Sequence, residues 1–191
     1  MIEKEWKWLV PRETFESLLH IASSLSVSTG EIGFQINHYY DTIDHRLGEE
    51  GICVRVRQTE DTPLLGTVKK HGKNGISEES NFKTECLPRF ITYQNMLLHR
   101  LGALMTKRTE FRLDGIGILS FDRNFYLGVT DYEIELEFSE VEKESDWKHI
   151  SHDLLLGEKP TDKYTRFLLA LNRFERICEP GADAGQKGEN I

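Results

Sequence analysis

The 191-residue sequence lacks the features of a secreted or membrane-spanning protein. Its three cysteines, Cys53, Cys86 and Cys178, are odd in number and far apart, which favours reduced thiols over a disulfide framework. No apolar run approaches the roughly 18 residues that a transmembrane helix needs. The charged N-terminal stretch also has no signal-peptide core. We therefore expect a soluble protein in the cytoplasm.

Two common ways of attracting polyanions are absent as well. The formal net charge is −8, so long-range attraction to nucleic acid or to an anionic membrane is not expected. No Gly-x-x-x-x-Gly-Lys-[Ser/Thr] loop occurs, so phosphate would not be bound by a P-loop. Any phosphate ligand must be held by a local cluster of basic side chains.

The chain length predicts one domain, because domains of about 100 to 200 residues are the norm. We place that domain at residues 1–178. Residues 179–191 are small and polar and are predicted to form a flexible tail. Helical spacing of apolar residues predicts helices over about 11–25, 88–101, 145–156 and 162–176. Alternating apolar and polar residues predict strands over most of the remainder.

The first predicted strand carries charge of both signs on one face. A strand points residues i, i+2 and i+4 to the same side, so Glu3, Glu5 and Lys7 share a surface. Two such carboxylates can hold a hard divalent cation, and the lysine can bind the anion that accompanies it. An edge strand with alternating charge, which keeps a sheet soluble, would give the same pattern.

Later strands repeat this arrangement. The charged residues that fall on one face of their strands include Arg55, Arg57, Lys69, Arg108, Asp122, Glu133 and Glu135. In an ordinary two-layer sheet these would be solvated faces. If the antiparallel strands close into a barrel, the same faces converge on a lumen. A charge packed there must be paired, metal-bound or engaged by a ligand.

Such a lumen would combine two chemistries. The basic set, which suits a chain of phosphates, is Lys7, Arg55, Arg57, Lys69 and Arg108. The acidic set, which suits one or two divalent cations, is Glu3, Glu5, Asp122, Glu133 and Glu135. Both sets in one cavity fit a metal-bound triphosphate better than a bare anion or a bare metal.

Six short motifs follow one another in order over residues 1 to about 175. They are Glu3-x-Glu5-x-Lys7, Asn37-x-Tyr39-Tyr40-Asp41-Thr42, Arg55-x-Arg57, Thr67-x-Lys69, Phe121-Asp122-x-Asn124 and Tyr132-Glu133-Ile-Glu135-Leu-Glu137. The ordered set resembles the CYTH domain, the family of triphosphate tunnel metalloenzymes, and most of all its small bacterial YjbK-like members. The resemblance implies an α+β fold, in which an eight-stranded antiparallel β-barrel forms the triphosphate tunnel and helices pack outside it.

The resemblance also implies roles for individual residues. Those expected to bind phosphate are Lys7, Arg55, Arg57, Lys69, Arg108 and, from the last helix, Lys163. Those expected to hold Mg²⁺ or Mn²⁺ are Glu3, Glu5, Asp122, Glu133, Glu135 and a further acid, Glu78. Catalysis is assigned to Glu3, Glu5 and Lys7. Lys163 could equally be a surface charge, and a slip of one residue would exchange Glu78 for Glu79. Glu110, Arg112 and Glu137 stay unassigned.

The expected activity is hydrolysis of the terminal phosphoryl group of inorganic triphosphate, thiamine triphosphate or a nucleoside triphosphate. No segment can be assigned to base recognition, which favours the first two substrates. A class IV adenylate cyclase, making cyclic AMP from ATP, is the alternative within the family. A non-catalytic module that binds polyphosphate or nucleotide is the alternative of another class. The expected ligand is a small-molecule triphosphate, without nucleic acid or membrane, and the chain is expected to be a monomer or homodimer.

Overall fold

The computed structural model describes residues 2–3, 5–25, 31–60, 62–71, 77–138 and 161–178. The strands within these ranges are β1 (Ile2–Glu3), β2 (Glu5–Leu9), β3 (Glu31–Asp41), β4 (Ile52–Thr59), β5 (Leu65–His71), β6 (Ser77–Lys83), β7 (Phe90–Tyr93), β8 (Met96–Leu113), β9 (Gly117–Tyr126) and β10 (Val129–Phe138). The helices are α1 (Arg12–Leu25), α2 (Arg46–Glu49) and α3 (Lys163–Cys178). None of these helices is long and apolar enough to cross a membrane.

All the described strands belong to one curled antiparallel sheet, in the order β1-β6-β5-β4-β3-β8-β9-β10-β2, with β7 paired to β8 alone. The sheet path is open, because its two end strands are not joined by a ladder. Both end strands nevertheless come from one N-terminal segment, in which β1 pairs with β6 and β2 pairs with β10. If β1 and β2 count as two pieces of one strand and β7 as a side hairpin, eight strands surround the lumen. The predicted fold is therefore confirmed.

Helix α1 lies on the outer face of β9 and β10, where alternate strand residues are apolar. Phe15 of α1 packs with Phe111, Phe121 and Ile134, all of which are at most 3% exposed. Burying a side chain of this size contributes on the order of 2 kcal/mol. Because successive strand residues point to opposite faces, the packing of Ile134 outward fixes the acidic residue on either side of it inward.

Helix α3 covers one end of the curled sheet through an apolar cluster. Tyr39, Leu104 and Tyr126 from the strands pack there against Phe167 and Leu171 of the helix. The helix begins beside Asp162, whose carboxylate accepts hydrogen bonds from the Thr165 amide at 3.0 Å and from the Thr165 hydroxyl at 2.6 Å. An aspartate in this position satisfies an amide that has no partner within the helix. The first residue of α3, Lys163, is thereby held at the lumen.

The predicted helix over 88–101 is wrong, because this segment forms β7 and the start of β8. Gln94 and Asn95 both have positive φ, 48° and 64°, which is the backbone of a two-residue hairpin turn. Leu98 is fully buried while Leu97 is 54% exposed, so burial alternates with the period of a strand. The predicted helices over about 11–25 and 162–176 are confirmed as α1 and α3. The predicted helix over 145–156 and the tail over 179–191 lie outside the described residues.

A charged lumen as the candidate active site

Eight of the twelve predicted site residues line one cavity of about 140 Å³ inside the curled sheet. They are Glu5, Lys7, Arg55, Arg57, Lys69, Arg108, Lys163 and Glu135. Two more, Asp122 and Glu133, are fully buried and bond to residues that line the cavity. The structure therefore brings together most of the two charged sets, although their roles stay predictions.

Strand pairing accounts for this convergence. Glu135 of β10 lies directly opposite Lys7 of β2, and Arg108 of β8 lies opposite Asp122 of β9. Residues paired in this way have neighbouring side chains on the same face of the sheet. Lys7 Nζ accordingly donates to Glu135 Oε1 at 2.8 Å. The sequence separation in this pair is 128 residues, so the local pattern of either strand alone does not reveal it.

Asp122, Glu133 and Glu135 form a buried acidic triad. Each offers one carboxylate oxygen within 4.8 Å of those of the other two, and Asp122 and Glu133 have no exposed surface. Burial alone would raise the pKa of Glu135. The neighbouring Lys163, Lys7 and Arg108 outweigh that effect and hold its pKa well below the usual value.

Lys163 and Arg108 each bond to more than one member of this triad. Lys163 Nζ lies 2.8 Å from Asp122 Oδ2, 2.8 Å from Glu133 Oε2 and 2.6 Å from Glu135 Oε1. Burial acts to lower the pKa of Lys163, but the three carboxylates raise it above the usual value. Arg108 donates through Nε to Asp122 at 2.6 Å and through Nη2 to Glu135 at 2.6 Å. Lys163 therefore faces the lumen, and its phosphate-binding role stays a prediction.

The triad fits a divalent cation. Among the described residues, Glu133 Oε1 is buried and has no hydrogen-bond partner, whereas the other triad oxygens are bonded. An unpaired buried carboxylate oxygen is costly, and a bound cation would satisfy it. Carboxylate oxygens are also the ligands that hard cations such as Mg²⁺ prefer.

A second group of charges lies around Lys69. Its Nζ is 3.0 Å from Glu79 Oε1 and 3.4 Å from Glu5 Oε1, while Lys7 Nζ is 2.9 Å from Glu5 Oε2. Burial would raise the pKa of Glu5 and Glu79, but the lysines lower both. Glu5 is therefore shared between two lysines at the rim of the cavity.

Two arginines on β4 have little anionic compensation. Within the described part of the chain, Arg57 makes one hydrogen bond, from Nε to Asn37 Oδ1 at 3.0 Å. Burial and repulsion from Arg55 and Arg108 lower the pKa of Arg57 to about 9. Among the described residues, the buried Nε of Arg55 has no hydrogen-bond partner, and its Nη2 is 4.0 Å from Glu79 Oε1. This wall of the lumen would be stabilised by an anion.

The prediction that Glu78 faces the lumen is wrong. Glu79 is the inward residue, because it pairs with Lys69 across β5 and β6 and lines the cavity. Glu78 is exposed on the other face. Since two glutamates are adjacent, a slip of one residue exchanges them, and the sequence could not decide between them. The backbone of Glu3 pairs with Ser77, but its side chain falls outside the described residues.

The three unassigned residues differ in position. Glu110 Oε1 accepts a hydrogen bond from Ser120 at 3.3 Å and lies 3.5 Å from Arg108 Nη1. Glu137 is exposed but still contributes to the cavity wall. Arg112 is exposed and lies outside that cavity.

Sequence reasoning missed several buried polar contacts around the lumen. Arg166 of α3 donates to Glu133, and Tyr164 donates to Asp41 at 2.6 Å. Asp41 also accepts from the amides of Leu47 and Gly48, both at 3.0 Å. Lys163 and Arg166 are three residues apart on one helix face, and this spacing could have indicated that Arg166 also reaches the lumen.

Comparisons with known proteins agree with this geometry. The model of the CYTH domain family matches residues 1–168. A candidate adenylate cyclase from Bacillus halodurans shares 28% identity and a TM-score of 0.67, over 86% of this chain and 96% of that one. No curated protein matches the chain.

Two more distant structures show the same fold. A candidate adenylyl cyclase from Hippeastrum, with a dominant triphosphatase activity, shares 19% identity and a TM-score of 0.64 over 87% of this chain and 95% of that one. The triphosphatase of the Mimivirus capping enzyme shares 10% identity and a TM-score of 0.52 over 80% and 88% of the two chains.

Proposed function

Because this chain belongs to the CYTH domain family, we propose that it hydrolyses the terminal phosphoryl group of a triphosphate within the charged lumen. The observation that carries the proposal is the contrast between the two walls. The acidic triad is neutralised by protein cations, whereas the described residues place no comparable anions beside Arg55 and Arg57. A ligand that adds negative charge beside β4 would balance the lumen.

The phosphate chain would bind along this arginine wall. Arg55 and Arg57 each present a planar fork that can take two phosphate oxygens, and Asn37 orients Arg57 through its Nε. Lys69 and Lys7 would add point charges at the rim. These donors would hold the phosphates in line and stabilise the charge that develops during transfer.

The acidic triad, with Glu5 close by, would hold Mg²⁺ or Mn²⁺. When bound, the cation would neutralise phosphate charge and make a water molecule a stronger nucleophile. Lys163 and Arg108 would keep Glu135 ionised, because both cations hold its pKa low. Little covalent work would fall to the protein, since phosphoryl transfer depends mainly on positioning and charge.

Inorganic triphosphate and thiamine triphosphate are the favoured substrates. The charged residues that line the lumen are cations and carboxylates. No residue of the lining has been assigned to recognition of a nucleobase. A class IV adenylate cyclase is the second candidate, because the Bacillus halodurans relative is a candidate adenylate cyclase. In that case the ribose hydroxyl would replace water as the nucleophile. Cytoplasmic location and oligomeric state stay predictions.

Two measurements test the proposal. Phosphate release is measured from inorganic triphosphate, thiamine triphosphate and ATP with Mg²⁺ or Mn²⁺, and again in excess EDTA. We expect hydrolysis that EDTA abolishes and added metal restores. With ATP, ADP and phosphate identify the hydrolase, whereas cyclic AMP and pyrophosphate identify the cyclase.

A matched pair of variants ties the activity to the lumen. Lys69 faces the cavity, while Lys70, its neighbour on β5, is exposed on the other face. Lys69→Ala should raise KM about tenfold or more, because a charge-assisted contact contributes about 1.5–3 kcal/mol. Lys70→Ala should change it less than twofold. Equal effects of the two substitutions would contradict phosphate binding in the lumen.

A further inference from the structure

Arg166 is a buried cation that the phosphate-binding scheme does not use. It lies one turn after Lys163 on α3 and is only 8% exposed. Its Nη2 donates to Glu133 Oε2 at 2.8 Å, its Nε to Asp131 Oδ2 at 3.0 Å and its Nη1 to the Thr161 carbonyl at 2.6 Å. The guanidinium therefore joins the start of α3 to two acidic residues of β10.

Asp131 is itself held by neutral donors. Its Oδ1 accepts from Asn124 Nδ2 at 2.8 Å, and its Oδ2 accepts from the Tyr126 hydroxyl at 2.7 Å. Asn124 in turn accepts from the buried Thr106 hydroxyl at 2.7 Å. The chain of contacts runs from β8 through β9 to Arg166, so the guanidinium is fixed from several sides. Networks of this kind hold a charged group in one geometry.

Glu133 is the triad member on which this network acts. Its Oε2 is shared by Arg166 and Lys163, both at 2.8 Å, whereas Oε1 is buried without a partner in the described part of the chain. One oxygen is thus immobilised and the other is left for a cation. Partners that hold a ligating carboxylate from behind commonly set metal affinity.

We propose that Arg166 is a positioning residue, which fixes Glu133 so that the acidic triad keeps the spacing a divalent cation needs. The inference rests on the proposed function in that it takes the triad as the cation site. Arg166 acts through Glu133 and does not contact substrate. Lysine cannot replace it, because a single ammonium nitrogen cannot stand at the three separate positions of Nε, Nη1 and Nη2.

Two simpler roles predict different results. If Arg166 only compensated charge, a lysine at this position would preserve cation affinity. If it only anchored α3 to the sheet, loss of another anchor of that helix would have the same effect. Tyr164, whose hydroxyl donates to Asp41 and makes no hydrogen bond to the triad in the described structure, provides that comparison.

The experiment measures Mn²⁺ binding by calorimetry, without triphosphate, for the parent protein, Arg166→Lys and Tyr164→Phe. We expect Arg166→Lys to bind Mn²⁺ about tenfold more weakly, which is the usual cost of losing a supporting partner. Tyr164→Phe should bind within twofold of the parent. At saturating Mn²⁺, Arg166→Lys should lower kcat and leave KM for inorganic triphosphate unchanged.

Mn²⁺ binding by Arg166→Lys within twofold of the parent would overturn the proposal, as would equal weakening in Tyr164→Phe. If Arg166→Lys does not fold, Tyr126→Phe replaces it, because that hydroxyl shares Asp131 Oδ2 with Arg166 at no change of charge. It should weaken Mn²⁺ binding about threefold, and unchanged binding would again overturn the proposal. Because Mn²⁺ binding needs no turnover, a parent protein without triphosphatase activity would contradict the proposed function alone.

Discussion

Lys163 Nζ lies 2.6 Å from Glu135 Oε1, although the two residues come from the last helix and the last strand. The lysine is bonded to all three members of the acidic triad. Helix α3 is therefore part of the site as well as a cover for one end of the sheet. Its apolar contacts with Tyr39 and Leu104 determine where that charge lies.

The register of β6 gives a direct test of the cavity. Glu79→Gln removes a carboxylate that pairs with Lys69 and should lower kcat/KM for inorganic triphosphate about tenfold. Glu78→Gln, one residue away on the exposed face, should change it less than twofold. Steady-state phosphate release gives both values. A larger effect at Glu78 would mean that the register is wrong.

Removing a basic or an acidic group should change different kinetic parameters. Arg57→Ala should mainly raise KM for the triphosphate and lower kcat/KM, because it removes a phosphate donor. Glu5→Gln should mainly lower kcat and raise the Mg²⁺ or Mn²⁺ concentration that gives half-maximal rate. Titrations of substrate and metal separate the two. Identical profiles in variants of unchanged stability would count against separate anion and cation sites.

Stability should depend on pH in a defined way. Glu135, Glu5 and Glu79 have pKa values below the usual 4.5. Their contribution to the free energy of unfolding is therefore complete above pH 4.5 and is lost as the pH falls through the folded-state pKa. Lys163 has a pKa above the usual 10.5, so its contribution is lost only as pH rises through that higher value. The free energy of unfolding should therefore be level at neutral pH and fall in acid.

Urea unfolding at a series of pH values measures this dependence. Glu135→Gln should reduce the loss of unfolding free energy below pH 4.5, since it removes one of the carboxylates whose pKa is lowered in the folded state. Glu78→Gln should lose as much unfolding free energy in acid as the parent protein does. A parent whose stability is unchanged in strong acid would show that these carboxylates are not paired in solution.

The bond from Tyr164 to Asp41 should contribute to stability. Asp41 is fully buried, and Tyr164→Phe removes a donor that lies 2.6 Å from its carboxylate. We expect a loss of about 1.5–3 kcal/mol, as for other hydrogen bonds to charged groups. Tyr93→Phe, which affects an exposed hydroxyl contact with Gln94, should cost less than about 0.5 kcal/mol. Thermal unfolding compares the two variants, and equal losses would contradict the assignment.

Much of the lumen follows from the sequence because a strand has a period of two. Glu5 and Lys7 face inward, while Trp6 packs outward against Phe138 with ring centroids 5.1 Å apart. The helix over 88–101 was predicted wrongly because Phe90, Leu97, Leu98 and Leu101 satisfy helical spacing, although Phe90 and Leu97 are exposed in the strands. Its turn at Gln94 and Asn95 has no glycine to indicate it.

The contacts of Arg166 could not be predicted for a different reason. Arg166 and Glu133 are 33 residues apart and meet only because α3 returns to β10. Local patterns show which face of an element is polar, but they do not show which distant group will satisfy that face. The same holds for Tyr164 and Asp41, which are 123 residues apart.

The N-terminal segment supplies both end strands of the sheet, and this affects how the chain folds during synthesis. Residues 5–9 emerge from the ribosome well before their partner strand β10, which ends at Phe138. Until β10 is made, β2 lacks the strand with which it pairs in the described sheet. Contacts over such long sequence separations form slowly, and unpaired edges promote association between chains. Glu5 and Lys7 can therefore join the lumen only in a late step, so the site and the protected sheet edges would be completed together.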